Sequence, residues 1–120
     1  MIIKSFEDLD VYRKAYGLAL ELHKFSLKLP KIEQYALADQ IRRASKSVCA
    51  NIAEGFGRQR ASSKEFHHYI MIAVGSSDEM KVWLSFCIDL GYMPKDKASR
   101  LRNDYSVVAR MLHGLRAKWK

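Results

Sequence analysis

The chain has 120 residues, 48% apolar and 28% charged, with only 6 Gly and 2 Pro; that is the composition of one globular domain and excludes a disordered polymer. The formal net charge of +8 favours polyanions and acidic protein surfaces as partners and says nothing about fold. No apolar run approaches the ~20 residues of a membrane span, and Met1 to Asp10 lacks the basic start and apolar run of a secretory signal, so a cytoplasmic protein with no membrane attachment is expected.

Four segments carry a helical repeat, and they predict an all-α, antiparallel up-down four-helix bundle filling residues 1–120 as a single domain. In the first, near residues 8–28, Val11, Ala15, Leu18, Leu22, Phe25 and Leu29 recur in steps of four and three, which places them on one helix face. The second, near 33–55, has Leu37, Ile41, Ala44, Val48 and Ile52. The third, near 63–90, has Phe66, Ile70, Ala73, Ser77, Met80, Leu84 and Cys87. The fourth, near 95–118, has Ala98, Leu101, Tyr105, Val108, Leu112, Leu115 and Trp119. No segment sustains a strand-like alternation.

The breaks between segments fit this reading. Leu29-Pro30 ends the first helix, because a residue before proline avoids the helical region. Gly55 and Gly57 are expected to end the second. Ser62-Ser63-Lys64-Glu65 resembles a capping box at the start of the third. Gly91 should close the third, and Pro94 suits the first turn of the fourth. Cys49 and Cys87 fall within apolar helical patterns and read as buried small hydrophobes.

Charge is unevenly spread. Residues 1–41 are neutral, 42–68 carry +4, 69–93 carry −2 and 94–120 carry +6. In an up-down bundle the second loop and the C-terminus share one end. Arg58, Arg60 and Lys64 are therefore expected near Arg116, Lys118 and Lys120, with Glu7, Asp8 and Asp10 partly neutralising them. Arg42, Arg43 and Lys46 form a second basic stripe, expected on the outer face of the second helix. These nine basic residues are the candidate nucleic-acid contacts. Tyr12, Tyr16, Tyr105 and Trp119 could stack on bases, but their spacing assigns them to core or interface packing.

Catalytic and metal chemistry find little support. His67 and His68 are adjacent and cannot chelate one ion well. Glu65 with His68 has the Glu-x-x-His spacing of di-metal bundles once, without its repeat. There is no nucleophile elbow and no glycine-rich phosphate loop. No enzyme activity, cofactor or metal is expected.

One stretch has a character of its own: Gln40-Ile41-Arg42-Arg43-Ala44, then Ser47, then Asn51-Ile52-Ala53-Glu54-Gly55. Gln40, Ser47, Asn51 and Glu54 lie on one polar stripe, and Ser76 and Glu79 are candidate partners for it. A satisfied polar network at a bundle seam can fix register and oligomer state, so this set is expected to hold the second helix against the third or against a neighbouring subunit. The same stretch resembles the bacterial 23S ribosomal RNA intervening-sequence proteins. Phe6-Glu7-Asp8-Leu9, Leu29-Pro30 and Gly75-Ser76-Ser77-Asp78-Glu79 add to the resemblance. It implies a ring-shaped homopentamer of four-helix bundles, some members being encoded within insertions in ribosomal RNA genes. The family is also similar to the accessory variability protein of diversity-generating retroelements, a basic pentamer that binds nucleic acid and works with a reverse transcriptase. Three expectations follow: an oligomer contacting RNA or DNA through phosphates, a scaffold for an acidic partner or a reverse transcriptase, and a structural oligomer without a strong ligand.

Overall fold

The computed structural model describes residues 2–118. Four α-helices account for most of them: α1 (Asp10–Ser26), α2 (Leu37–Arg58), α3 (Ser63–Asp89) and α4 (Lys95–Lys118). Two single turns of 3-10 helix, Phe6–Asp8 and Lys31–Glu33, precede α1 and α2. No strand occurs among the described residues.

Cross-helix bonds establish the topology. Arg42 of α2 reaches Ser26 at the end of α1, while Lys46, one turn further along α2, meets His23, nearly one turn earlier on α1. The two helices therefore run antiparallel. On α2 and α3, Ser47 faces Ser76, whereas Gly55 faces Phe66 and Tyr69, again an antiparallel order. Lys14 of α1 pairs with Asp104 of α4, and Glu21 pairs with Arg100, so α1 and α4 also oppose each other. Each helix packs on its chain neighbours, α4 closes the bundle against α1, and α1 and α3 sit on the diagonal. The bundle measures 44 × 25 × 21 Å, its long axis set by α3, whose 27 residues span about 40 Å at 1.5 Å per residue.

The three-four repeat decides what is buried. Every seam residue of α2 and α3 is buried, as are Val11, Ala15, Leu18, Leu22 and Leu29 of the first segment and Ala98 to Leu112 of the fourth. Phe25 and Leu115 are partly buried against this core; Trp119 lies outside the described residues.

The helix boundaries differ from the sequence expectation, each for a local reason. Ser5 caps the Phe6–Asp8 turn, and the Asp8 carboxylate accepts from the Lys4 and Ser5 amides at 2.8 and 3.1 Å, so α1 begins at Asp10. At its other end the Gln34 side-chain amide donates to the Ser26 and Leu29 carbonyls, satisfying groups that would otherwise continue α1. The Lys31–Glu33 turn delays α2 to Leu37. Gly55 and Gly57 do not stop α2, which runs through both to Arg58. At Gly91 the expectation holds: its φ of +75° and the Tyr92 amide bond to the Cys87 carbonyl at 2.8 Å close α3 in a Schellman-type cap. Ser62 caps α3 by accepting from the Glu65 amide at 3.1 Å.

Candidate nucleic-acid interface and the polar seam

The nine basic candidates divide into structural and free groups. Arg42 is not on an outer face. It is half-buried, and its guanidinium donates to Ser26 Oγ at 3.0 Å, to Gln34 Oε1 at 3.3 Å and to the Gln34 carbonyl at 2.8 Å. It clamps the connection between α1 and α2, which removes it from the candidate contact surface. Its position next to seam residue Ile41 aims the long side chain along the flank of the core. Arg43 stays exposed and pairs with Asp39 one turn back, at 2.8 Å. Lys46 lies 3.0 Å from His23 Nδ1. Arg58 is held by Glu54 at 3.0 Å and Glu65 at 2.9 Å and covers the Tyr69 ring at 5.2 Å. Its charge is largely neutralised locally.

Arg60, Lys64, Arg116 and Lys118 are exposed and, among the described residues, engage no carboxylate. Lys120 lies outside the described residues. The antiparallel order brings the α2–α3 connection and the end of α4 to the same end of the bundle, where Lys118 lines a cleft with Ile3, Asp8, Asp10 and Leu115. Of the acids there, Asp8 is occupied: backbone hydrogen bonds from Lys4 and Ser5 hold its carboxyl below the usual aspartate value, and Arg13 adds to the effect.

The polar stripe of α2 is joined only at its centre. Ser47 Oγ and Ser76 Oγ lie 2.8 Å apart across the α2–α3 seam. Asn51 donates to the Ser47 carbonyl at 2.8 Å and to Ser47 Oγ at 3.0 Å. Gln40 is exposed, Glu54 is turned to Arg58, and Glu79 accepts from Trp83 Nε1 at 3.0 Å on its own helix. The stripe follows an edge of α2, and α3 covers only the middle of it. Two arginines absent from the candidate set bind elements together. Arg102 of α4 reaches the Lys81 carbonyl at 2.8 Å and Ser85 Oγ on α3, and Arg100 reaches Glu21. Nothing in the repeat distinguishes these arginines from solvated ones, because they lie beside the seam.

The aromatic candidates separate as well. Tyr105 is fully buried, and its hydroxyl lacks a hydrogen-bond partner; burial raises its pKa strongly. Tyr12 and Tyr16 stack at 5.9 Å, with Phe6 edge-on to Tyr12 at 4.8 Å. They wall a groove of about 520 Å³ between α1 and α2, lined also by Leu20, Lys46, Cys49 and Ala53. Cys49 and Cys87 are free and buried, and burial pushes both thiols up to about 11, leaving them protonated and unreactive at neutral pH. Glu65, the acid of the Glu-x-x-His pair, is engaged by Arg58. No group of three metal-ligating side chains occurs among the described residues. No described helix is long and apolar enough to cross a membrane.

The class defined by this geometry is a small all-α bundle whose polar groups serve packing and whose surplus positive charge gathers at one end. The chain belongs to the 23S rRNA-intervening sequence protein family, whose sequence model matches residues 7–114. Among solved structures it is similar to a protein of unknown function from the S23 ribosomal protein family of Bacteroides thetaiotaomicron. The TM-score is 0.79 at 23% identity, over 89% of this chain and 95% of that one. No curated protein matches it. Neither description names an enzyme.

Proposed function

We propose that this protein is a non-enzymatic, basic, homo-oligomeric accessory protein that binds the phosphate backbone of RNA or DNA. The observation that supports it is the exposed set Arg60, Lys64, Arg116 and Lys118, which converge on one end and have no carboxylate partner among the described residues. Free cations of this kind bind phosphates by releasing condensed counterions, with no need to read bases. A homo-oligomer, a pentamer by the family resemblance, repeats the basic end and turns weak contacts into avidity. The protein acts in the cytoplasm.

Fluorescence polarisation with labelled single-stranded RNA and DNA, titrated at rising salt, tests the reading. Binding should be tight at low salt, fall steeply as salt rises and differ little between sequences. Absence of binding at low salt overturns it.

A further inference from the structure

α3 is apolar on both sides. Its inner seam is buried, yet Ile72, Val82, Phe86 and Leu90 are 38%, 50%, 49% and 51% exposed. Ile72, Gly75, Glu79, Val82 and Phe86 follow steps of three and four, so they share the face opposite the seam. A helix that is hydrophobic all round belongs inside a larger core, and a continuous exposed stripe marks a contact surface where scattered residues would not.

On another side of the molecule lies the groove of about 520 Å³ between α1 and α2. Tyr16 and Leu20 wall it at 49% and 46% exposure, and small residues, Ala19, Cys49, Ala50 and Ala53, form its floor. Charge matches the two surfaces. Lys46 and His23 stand in the groove wall, while exposed Asp78, Glu79 and Asp89 flank the α3 stripe. Helix α3 as a whole has four carboxylates against two lysines; α1 and α2 together have seven basic side chains against four acidic ones.

We propose that the α3 stripe of one copy seats in the α1–α2 groove of a second copy, so that the chain assembles head to tail. The stripe and the groove lie on different helices and face different sides of the bundle, α3 being diagonal to α1. Each copy therefore offers one donor and one acceptor surface, which is a heterologous contact. It rests on the oligomeric half of the proposed function and specifies which surfaces meet.

Two variants test it. V82D/F86D disables the stripe, and Y16D/L20D disables the groove; all four positions are at the surface, and circular dichroism checks that each variant folds. Mass by size exclusion with light scattering should be multi-subunit for the unaltered protein and single-subunit for each variant alone. A one-to-one mixture should recover a two-subunit species, because each variant retains the surface the other lacks. A monomeric unaltered protein, a folded variant that keeps the full mass, or a mixture that stays monomeric each overturns the proposal. The outcome is independent of phosphate binding, since neither variant alters Arg60, Lys64, Arg116 or Lys118. Mass loss with retained low-salt binding, and retained mass without binding, tell the two readings apart.

Discussion

At Gly55 a side chain would have no room. A Cβ there would lie 3.2 Å from Tyr69 Cβ and 3.3 Å from the Phe66 carbonyl oxygen, so this glycine permits the close approach of α2 and α3. Gly55→Ala should destabilise the fold by about 1–3 kcal/mol, the usual cost of forcing a methyl into a packed site. Gly57 has nothing within 4 Å of its would-be Cβ. Gly57→Ala should therefore stabilise by about 0.5–1 kcal/mol, through helix propensity alone. Urea denaturation of the two variants reads the contrast. Tyr105 poses the opposite problem, a fully buried hydroxyl without a partner. Removing an unsatisfied buried polar atom removes its desolvation cost, so Tyr105→Phe should leave the melting temperature unchanged or raise it. A fall of several degrees would show that the hydroxyl is bonded in solution.

Between elements, side chains beside the core do the joining. The Arg42 fork bridges the end of α1 and the Gln34 turn through three hydrogen bonds. Arg42→Lys cannot reproduce that fork with one ammonium. It should cost about 2 kcal/mol, in the range of hydrogen bonds from charged groups. Amide exchange should speed up across residues 27–36 before the helices respond. The Ser47–Ser76 contact is smaller and neutral. A double-mutant cycle with Ser47→Ala and Ser76→Ala should return a coupling of about 1 kcal/mol. A coupling near zero would assign the α2–α3 register to apolar packing and Gly55 instead.

At the level of the whole molecule, the excess of +8 is sorted by the fold into spent and available charge. Arg42, Arg43, Arg58, Arg100 and Arg102 are tied to protein acceptors. Arg60, Lys64, Arg116 and Lys118 are left for solvent or a ligand. Replacing these four by alanine should leave the fold intact. It should flatten the dependence of log binding constant on log salt by about 1 for each phosphate no longer neutralised. Arg43→Ala, altering a cation already paired with Asp39, should change that slope much less.

Helix number, order and inward faces were legible in the chain because burial follows the three-four repeat directly: Leu18, Ile41, Ile70 and Leu101 are buried where the period places them. The loop signals at Ser62 and Gly91 were equally local, since a cap depends on a few neighbouring backbone groups. Tertiary structure decided the rest. Gly55 looked like a helix stop until α3 lay against it, and Arg42 looked like a surface cation until Ser26 and Gln34 came within reach. Of the polar stripe only Ser47 and Asn51 found roles at the seam, and α3 proved apolar on a second face that the single bundle leaves open. The physical reason is the same in each case. A repeat along one chain records which side of a helix avoids water, whereas the partner of a charge, a hydroxyl or a bare backbone is supplied by residues distant in sequence.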